Sequence, residues 1–159
     1  MIPVISQNEA YSLDRDTTDS CYLSEDKLMD NAGQSIAQFI VENIPDSFNQ
    51  NFILLIGPGN NGKDGIICHY YLSQYGIQSK LFILDENIIS DKIFKNYFIS
   101  KELILFVSDE FEYSLDNWYV DCMFGVGVKR SIKGHYKDVI KKIKNLSQVI
   151  SIDIPSGIY

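Results

Sequence analysis

The stretch NFILLIGPGNNGKDG, residues 51–65, joins a short apolar run to a loop that contains four glycines. Residues 52–56 are all apolar, which predicts a strand buried on both faces of a sheet. The glycine loop over 57–65 leads into a predicted helix at about 64–75, which ends before Gly76. A strand, a tight glycine loop and a helix form the first part of a βαβ unit. This stretch therefore predicts an α/β fold with a parallel sheet.

The rest of the chain continues the alternation of helix and strand. A long helix is predicted over 24–44, with Ser24 as its N-cap and Pro45 ending it. Residues 103–107 are a candidate strand, and 108–117 have the composition of an exposed acidic loop. The other predicted elements are strands at 80–84, 119–124 and 148–154 and helices at 90–101 and 136–146.

Composition narrows the class of protein. The chain has 159 residues, which predicts one domain over 1–159, and 45% of them are hydrophobic. A formal net charge of -7 argues against a general nucleic-acid binder. The three cysteines lack C-x-x-C spacing, so neither a zinc site nor a disulfide framework is indicated. No secretory leader or membrane span is recognisable, and we expect a cytoplasmic protein.

The glycine loop nearly matches the P-loop of nucleotide triphosphatases. Gly57, Gly62 and Lys63 stand where that motif requires them, but Asp64 replaces the Ser or Thr that ligates Mg²⁺. A carboxylate beside phosphate oxygens is repelled strongly at low dielectric. Asp64 fits better as a cap of its own helix or as a partner of a sugar hydroxyl. The loop itself is suited to phosphate, since glycine lets a ligand approach backbone N–H groups at a helix N-terminus.

Two later strands also end in polar or glycine-rich sequence. Asp121 lies in an otherwise apolar strand, where a carboxylate is costly unless it is hydrogen-bonded or binds a cation. Asp153 lies at a strand end, a frequent position for a catalytic acid or base, and Ser156 follows in the turn PSG. Each feature also has a structural explanation: backbone amides around Asp121, a solvated basic turn at 129–130, and an Asx turn at Asp153.

Taken together, these segments resemble a known family. LMDNAG (28–33), GPGNNGKDG (57–65), DCMFGVGVKRSIKG (121–134) and DIPSG (153–157) resemble, in order and spacing, the motifs of the NAD(P)HX epimerase family, the YjeF N-terminal domain. The resemblance covers about 6–157. It implies a Rossmann-like three-layer αβα sandwich with a mostly parallel central sheet, and an isomerase of metabolite repair that interconverts the R and S epimers of hydrated NADH or NADPH.

The resemblance also implies a site, a potassium ion and a homodimer. Asn61, Asp121 and Ser156 match the ligands of K⁺, and Asp153 matches a substrate-binding position. As a mechanistic hypothesis, Asp153 is the catalytic residue that protonates the departing C6 hydroxyl. An amide, a carboxylate and a hydroxyl oxygen form a donor set suited to such a hard cation. The residues that match contacts to the hydrated dinucleotide are Asn60, Asn61, Gly62, Lys63, Asp64, Gly125, Val126, Gly127, Val128, Lys129, Arg130, Ser131 and Asp153.

Two departures from the family pattern qualify the prediction. Lys63 stands where the family usually has glycine, and the chain ends at Tyr159, where the family domain usually continues with further strands. The alternatives to an epimerase are a non-catalytic scaffold or partner-binding domain of the same fold and, more remotely, a P-loop-like nucleotide-binding protein. The ligand predicted on either enzymatic interpretation is a small molecule, not a nucleic acid or a membrane.

Overall fold

A parallel sheet forms the centre of the molecule. A computed structural model of the chain describes residues 6–20, 23–90, 92–106, 113–128 and 131–158. The strands are β1 (Asn51–Ile56), β2 (Ser79–Ile83), β3 (Ile104–Phe106), β4 (Asn117–Cys122) and β5 (Val149–Ser151). They pair in parallel in the order β3-β2-β1-β4-β5. Strands β2 and β3 lie on one side of β1, whereas β4 and β5 lie on the other. The strand order therefore reverses at β1, and the crevice between the ends of β1 and β4 is the expected ligand position.

Helices cover both faces of this sheet. The helices are α1 (Gln7–Ser20), α2 (Glu25–Asn43), α3 (Asn60–Gln74), α4 (Lys92–Asn96) and α5 (His135–Ile143), with short 3₁₀ turns at Ser47–Asn49, Glu86–Ser90 and Lys101–Leu103. Alternate residues of β1 enter separate apolar clusters: Phe52 and Leu54 join α2 and α3 on one face, and Ile53 joins α5 on the other. The predicted Rossmann-like three-layer sandwich is confirmed, with an all-parallel described sheet.

The LMDNAG segment lies on α2 and fastens it to α3. A Cβ atom on Gly33 would overlap the side chain of Ile67, so a glycine allows the two helices to approach closely. Asp30 accepts hydrogen bonds from the hydroxyls of Tyr71, at 2.8 Å, and Tyr97, at 3.0 Å. This motif therefore has a structural role: it sets the position of α3, which begins at the glycine loop.

Several predicted boundaries need correction. The helix over 24–44 is confirmed, with Ser24 as its N-cap. The helix predicted over 64–75 instead begins at Asn60, with Gly59 as its N-cap and no side-chain cap, so Asp64 lies inside the helix and does not cap it. This start is possible because an extended glycine can precede the first helical turn directly.

The region between β2 and β4 departs further from the predictions. The helix predicted over 90–101 is limited to α4, because the chain turns after Asn96 and Phe98 adopts a left-handed φ of 49°. The candidate strand at 103–107 is confirmed as β3. Its predicted last residue, 107, and residues 108–112 of the predicted acidic loop lie outside the described part of the chain. In place of the strand predicted over 148–154, the structure has the three-residue strand β5. Helix α1 was not predicted at all.

None of the described helices has the length and apolar character needed to cross a membrane.

A buried histidine gives the fold a testable pH dependence. His69 lies on α3, is 3% exposed, and its Nδ1 is 2.7 Å from Ser79 Oγ on β2. Burial lowers its pKa from 6.5 to about 4. The unfolded chain therefore binds the proton better, and stability that is present above pH 6.5 is lost as pH falls toward 4.

We predict that His69→Gln, which keeps a neutral hydrogen-bonding side chain, removes the pH dependence of stability that His69 causes. Between pH 7 and pH 4 the free energy of unfolding of the wild type should fall by up to about 3 kcal/mol more than that of the variant. Urea unfolding at a series of pH values measures the difference. Parallel curves for the two proteins would show that His69 stays protonatable in the fold.

Candidate active site at the ends of β1, β4 and β5

The glycine loop after β1 packs directly on the end of β4. The N–H of Gly57 donates to the carbonyl of Cys122 at 3.3 Å. A Cβ on Gly57 would overlap the carbonyl oxygen of Met123, and one on Gly62 would overlap the carbonyl oxygen of Gly57. Glycine is therefore required at both positions by close backbone contact. As a result the first turn of α3 starts immediately above the β1–β4 crevice.

Asp121 and Ser156 form the buried centre of this edge of the sheet. Asp121 is 1% exposed and Ser156 is 7% exposed. Ser156 donates to Asp121 twice, from Oγ to Oδ1 at 2.7 Å and from the backbone N–H to Oδ2 at 2.8 Å. The N–H of Met123 adds a bond to Oδ1 at 3.2 Å. These bonds fix the PSG turn after β5 against the end of β4.

The electrostatics of this centre favour a cation. Burial raises the pKa of Asp121 above its ordinary value, and the hydrogen bonds from Ser156 and Met123 act in the opposite direction. All these donors are neutral, and among the described residues Asp121 forms no ion pair. A buried carboxylate with only neutral partners is stabilised by a positive charge placed beside it.

Asp153 meets the loops of β1 and β4 at one place. Its Oδ2 accepts the N–H of Val126 at 2.8 Å. A Cβ on Gly125 would overlap this Oδ2 and would lie 3.5 Å from Oδ1 of Asn61. The amide nitrogen Nδ2 of Asn61 is buried and has no hydrogen-bond partner among the described residues. Asp153 itself is exposed, so its carboxylate can reach a ligand.

The other predicted residues divide into four groups, with Lys63 considered separately. Asn60 and Gly127 are exposed at the two loops, while Gly62 is buried in the first turn of α3 and Asp64 is half-buried there. Val128 and Ser131 line a cleft of about 490 Å³ beside the β4 loop. Lys129 and Arg130 lie outside the described residues.

Lys63 is placed apart from this assembly. It lines a cleft of about 280 Å³ together with residues of α2 and α4, such as Met29 and Asn96. A P-loop lysine reaches the phosphates at the helix N-terminus, so this orientation does not favour the P-loop interpretation. The assignment of Lys63 to the substrate stays a prediction.

Comparison with known proteins identifies the family. Residues 25–159 match the family model described as YjeF-related protein N-terminus. The chain belongs to this family. It is similar to an NAD(P)H-hydrate epimerase of Entamoeba histolytica, with 32% identity over 157 residues that cover 96% of this chain and 69% of the relative.

Two further comparisons extend this result. The chain is 33% identical to a bifunctional NAD(P)H-hydrate repair enzyme of Thermofilum pendens, over 96% of this chain but only 31% of that enzyme. The crystal structure of yeast ynu0 superposes with a TM-score of 0.81 and 22% identity, over 98% of this chain and 72% of the yeast chain. The yeast structure supports the fold, and the predicted membership of the YjeF-related family is confirmed.

Sequence reasoning missed three residues that line the cleft beside the candidate site. Asp85, Phe124 and Tyr136 line the 490 Å³ cleft and were not predicted to do so. They lie far apart in sequence, and the start of α5 brings Tyr136 to this edge because His135 Nε2 lies 2.8 Å from the carbonyl of Leu84. Asp85 had a usable signal, since it follows the apolar strand β2 closely.

We predict that Gly57→Ala destabilises the YjeF-related fold more than Gly59→Ala does. The alanine methyl at 57 meets the Met123 carbonyl, whereas a Cβ at 59 has nothing within 4 Å. Overpacking of this kind costs about 1–3 kcal/mol, and the change at the N-cap should cost less than about 1 kcal/mol. Denaturant unfolding of the two variants provides the comparison. Equal losses of stability would contradict the close contact between the β1 and β4 loops.

Proposed function

We propose that this chain is an NAD(P)H-hydrate epimerase, which interconverts the R and S epimers of hydrated NADH or NADPH. The relatives that carry this name match most of the chain. The observation that carries the proposal is the meeting of Asp153, Asn61 and Gly125 at the β1–β4 crevice. An accessible carboxylate lies there beside a glycine loop and a helix N-terminus suited to phosphate.

The chemistry follows from the carboxylate. The C6–O bond of the hydrated nicotinamide breaks, and the hydroxyl takes a proton from Asp153 and leaves as water. The lone pair of the ring nitrogen forms a C=N bond, which gives an iminium-like cation. Water then adds to the other face of C6 and returns a proton to Asp153. The positive charge that develops is stabilised by the Asp153 carboxylate beside it.

The glycine loops bind the rest of the dinucleotide in this proposal. The first internal hydrogen bond of α3 is donated by the N–H of Gly62 to the carbonyl of Gly59, so the N–H groups of Asn60 and Asn61 precede it. Such N–H groups at a helix start bind phosphate oxygens. The side chain of Asn61 approaches Gly125, and we propose that the diphosphate lies between the β1 and β4 loops.

We also propose that Asn61, Asp121 and Ser156 hold a potassium ion. Asp121 offers a buried carboxylate with neutral partners only, and Ser156 contacts it directly. The amide of Asn61 has a buried end without a partner among the described residues, and rotation of the amide would present its oxygen there. An ion bound by these oxygens would link the loops after β1, β4 and β5. The predicted homodimer and cytoplasmic location remain proposals alongside it.

We predict that Asp153→Asn abolishes epimer exchange and leaves ligand binding intact, because the amide keeps the shape of the side chain but cannot deliver a proton. Loss of a general acid lowers the rate by about 10²–10⁴-fold. The assay starts from one epimer of hydrated NADH and follows its conversion into the other by chromatography. Binding is measured separately with NAD⁺ by calorimetry.

Asp116→Asn is the matched control for this experiment. Asp116 is an exposed carboxylate in the turn before β4, and we expect wild-type exchange from this variant. Full exchange by Asp153→Asn would remove Asp153 from the mechanism. No exchange by the wild-type chain above the buffer rate would overturn the proposed activity itself.

A second prediction concerns the ion. Potassium should raise the Tm of the wild type by about 2–4 °C for each kcal/mol by which its binding stabilises the folded chain, and Li⁺ at the same ionic strength should not. Asp121→Asn removes the charge that attracts the ion, so its Tm should not respond to potassium. Ser6→Ala, which changes an exposed serine, serves as the control. An identical response to both cations in the wild type would argue against the site.

A further inference from the structure

A second compartment adjoins the proposed reaction site. The 490 Å³ cleft lies on the side of the glycine loop that faces β2, between Pro58, Asp85, Phe124 and Tyr136. The β4 loop separates it from Asp153, since Phe124 lines the cleft while Gly125 and Val126 contact Asp153. A dinucleotide whose nicotinamide lies at Asp153 would therefore extend its other end into this cleft.

The cleft offers aromatic surface to a ligand. The rings of Phe124 and Tyr136 meet edge to face, with centroids 5.0 Å apart. Tyr136 also contacts the ring of His135 at 4.2 Å, and His135 is fixed by its contact with the Leu84 carbonyl. Rings held in this way provide a platform on which a flat nucleobase stacks, and stacking tolerates any base.

Asp85 occupies the position that discriminates between ribose forms in dinucleotide-binding sheets. It lies two residues beyond the end of β2 and twenty residues after Gly65, the last glycine of the loop. In such sheets an acidic residue at this place accepts a hydrogen bond from the ribose 2′-hydroxyl. A carboxylate there also repels a 2′-phosphate.

Hydrogen bonds fix one oxygen of the Asp85 carboxylate and leave the other accessible. Asn87 donates to Oδ1 of Asp85 from its backbone N–H, at 3.0 Å, and from its side chain, at 2.7 Å. Among the described residues no hydrogen bond reaches Oδ2, and the residue is partly exposed. One oxygen is thus fixed within the Glu86–Ser90 turn while the other is available to a ligand hydroxyl.

Building on the proposed function, we propose that this cleft binds the adenosine end of the dinucleotide and that Asp85 selects the form with a free 2′-hydroxyl. The preferred substrate is then hydrated NADH, and hydrated NADPH is disfavoured. Lys133 also lines the cleft. We assign its ammonium group to the diphosphate of the ligand, because the Asp85 carboxylate already accounts for the contact with the ribose.

Fragments without nicotinamide test the cleft independently of the reaction. Calorimetry compares 5′-AMP with adenosine 2′,5′-bisphosphate on the wild type, Asp85→Asn and the control Asp116→Asn. We expect the wild type and the control to bind 5′-AMP about tenfold more tightly, a factor equivalent to about 1.4 kcal/mol. Asp85→Asn should bring the two dissociation constants within about threefold. Equal binding by the wild type, or tighter binding of the bisphosphate through Lys133, would overturn the selection.

The same variants connect the cleft to turnover. The ratio of kcat/KM for hydrated NADH over hydrated NADPH should fall about three- to tenfold in Asp85→Asn, in line with the fragment affinities. An unchanged ratio with normal epimer exchange would overturn the role of Asp85 and leave the epimerase function standing. Fragment discrimination without any epimer exchange by the wild type would overturn the proposed function and support the nucleotide cleft.

Discussion

The carboxylate of Asp121, buried at the end of β4, is the interaction on which the functional edge of the molecule depends. It accepts both the hydroxyl and the backbone N–H of Ser156, and these bonds join the turn after β5 to the end of β4. Asp153 lies in the same turn, three residues before Ser156, and is positioned by it. This role explains why an apolar strand contains an aspartate. The free-energy cost of burying its carboxylate is offset only when all of its hydrogen-bond partners are in place.

Glycines complete the assembly that Asp121 begins. Gly57 lets the β1 loop contact the Met123 carbonyl, and Gly125 leaves space for the carboxylate of Asp153. Any side chain at these positions would separate the loops. The site is therefore built from three strand ends in close backbone contact, a rigid arrangement that keeps one carboxylate accessible beside a helix N-terminus. That combination suits a reaction in which an anionic dinucleotide passes through a cationic ring intermediate.

The sequence predicted the parts of this structure that have local signals. The apolar run at 52–56, the glycine loop and the polar residues after β4 and β5 each follow from short patterns, and parallel strands bring their ends to one edge. Contacts between segments that are distant in the chain have no short sequence pattern, so they were not predicted. The cleft depends on α5 crossing toward β2, and the orientation of Lys63 toward α2 depends on the early start of α3 at Asn60. Both are consequences of tertiary packing.

The most direct test of the account follows the oxygen atom at C6 of the hydrated nicotinamide. One epimer of hydrated NADH is incubated with the chain in H₂¹⁸O, and the opposite epimer is collected and analysed by mass spectrometry. If Asp153 drives departure of the hydroxyl and return of water, the inverted epimer carries ¹⁸O from the solvent. Inversion with the original oxygen retained would contradict the account.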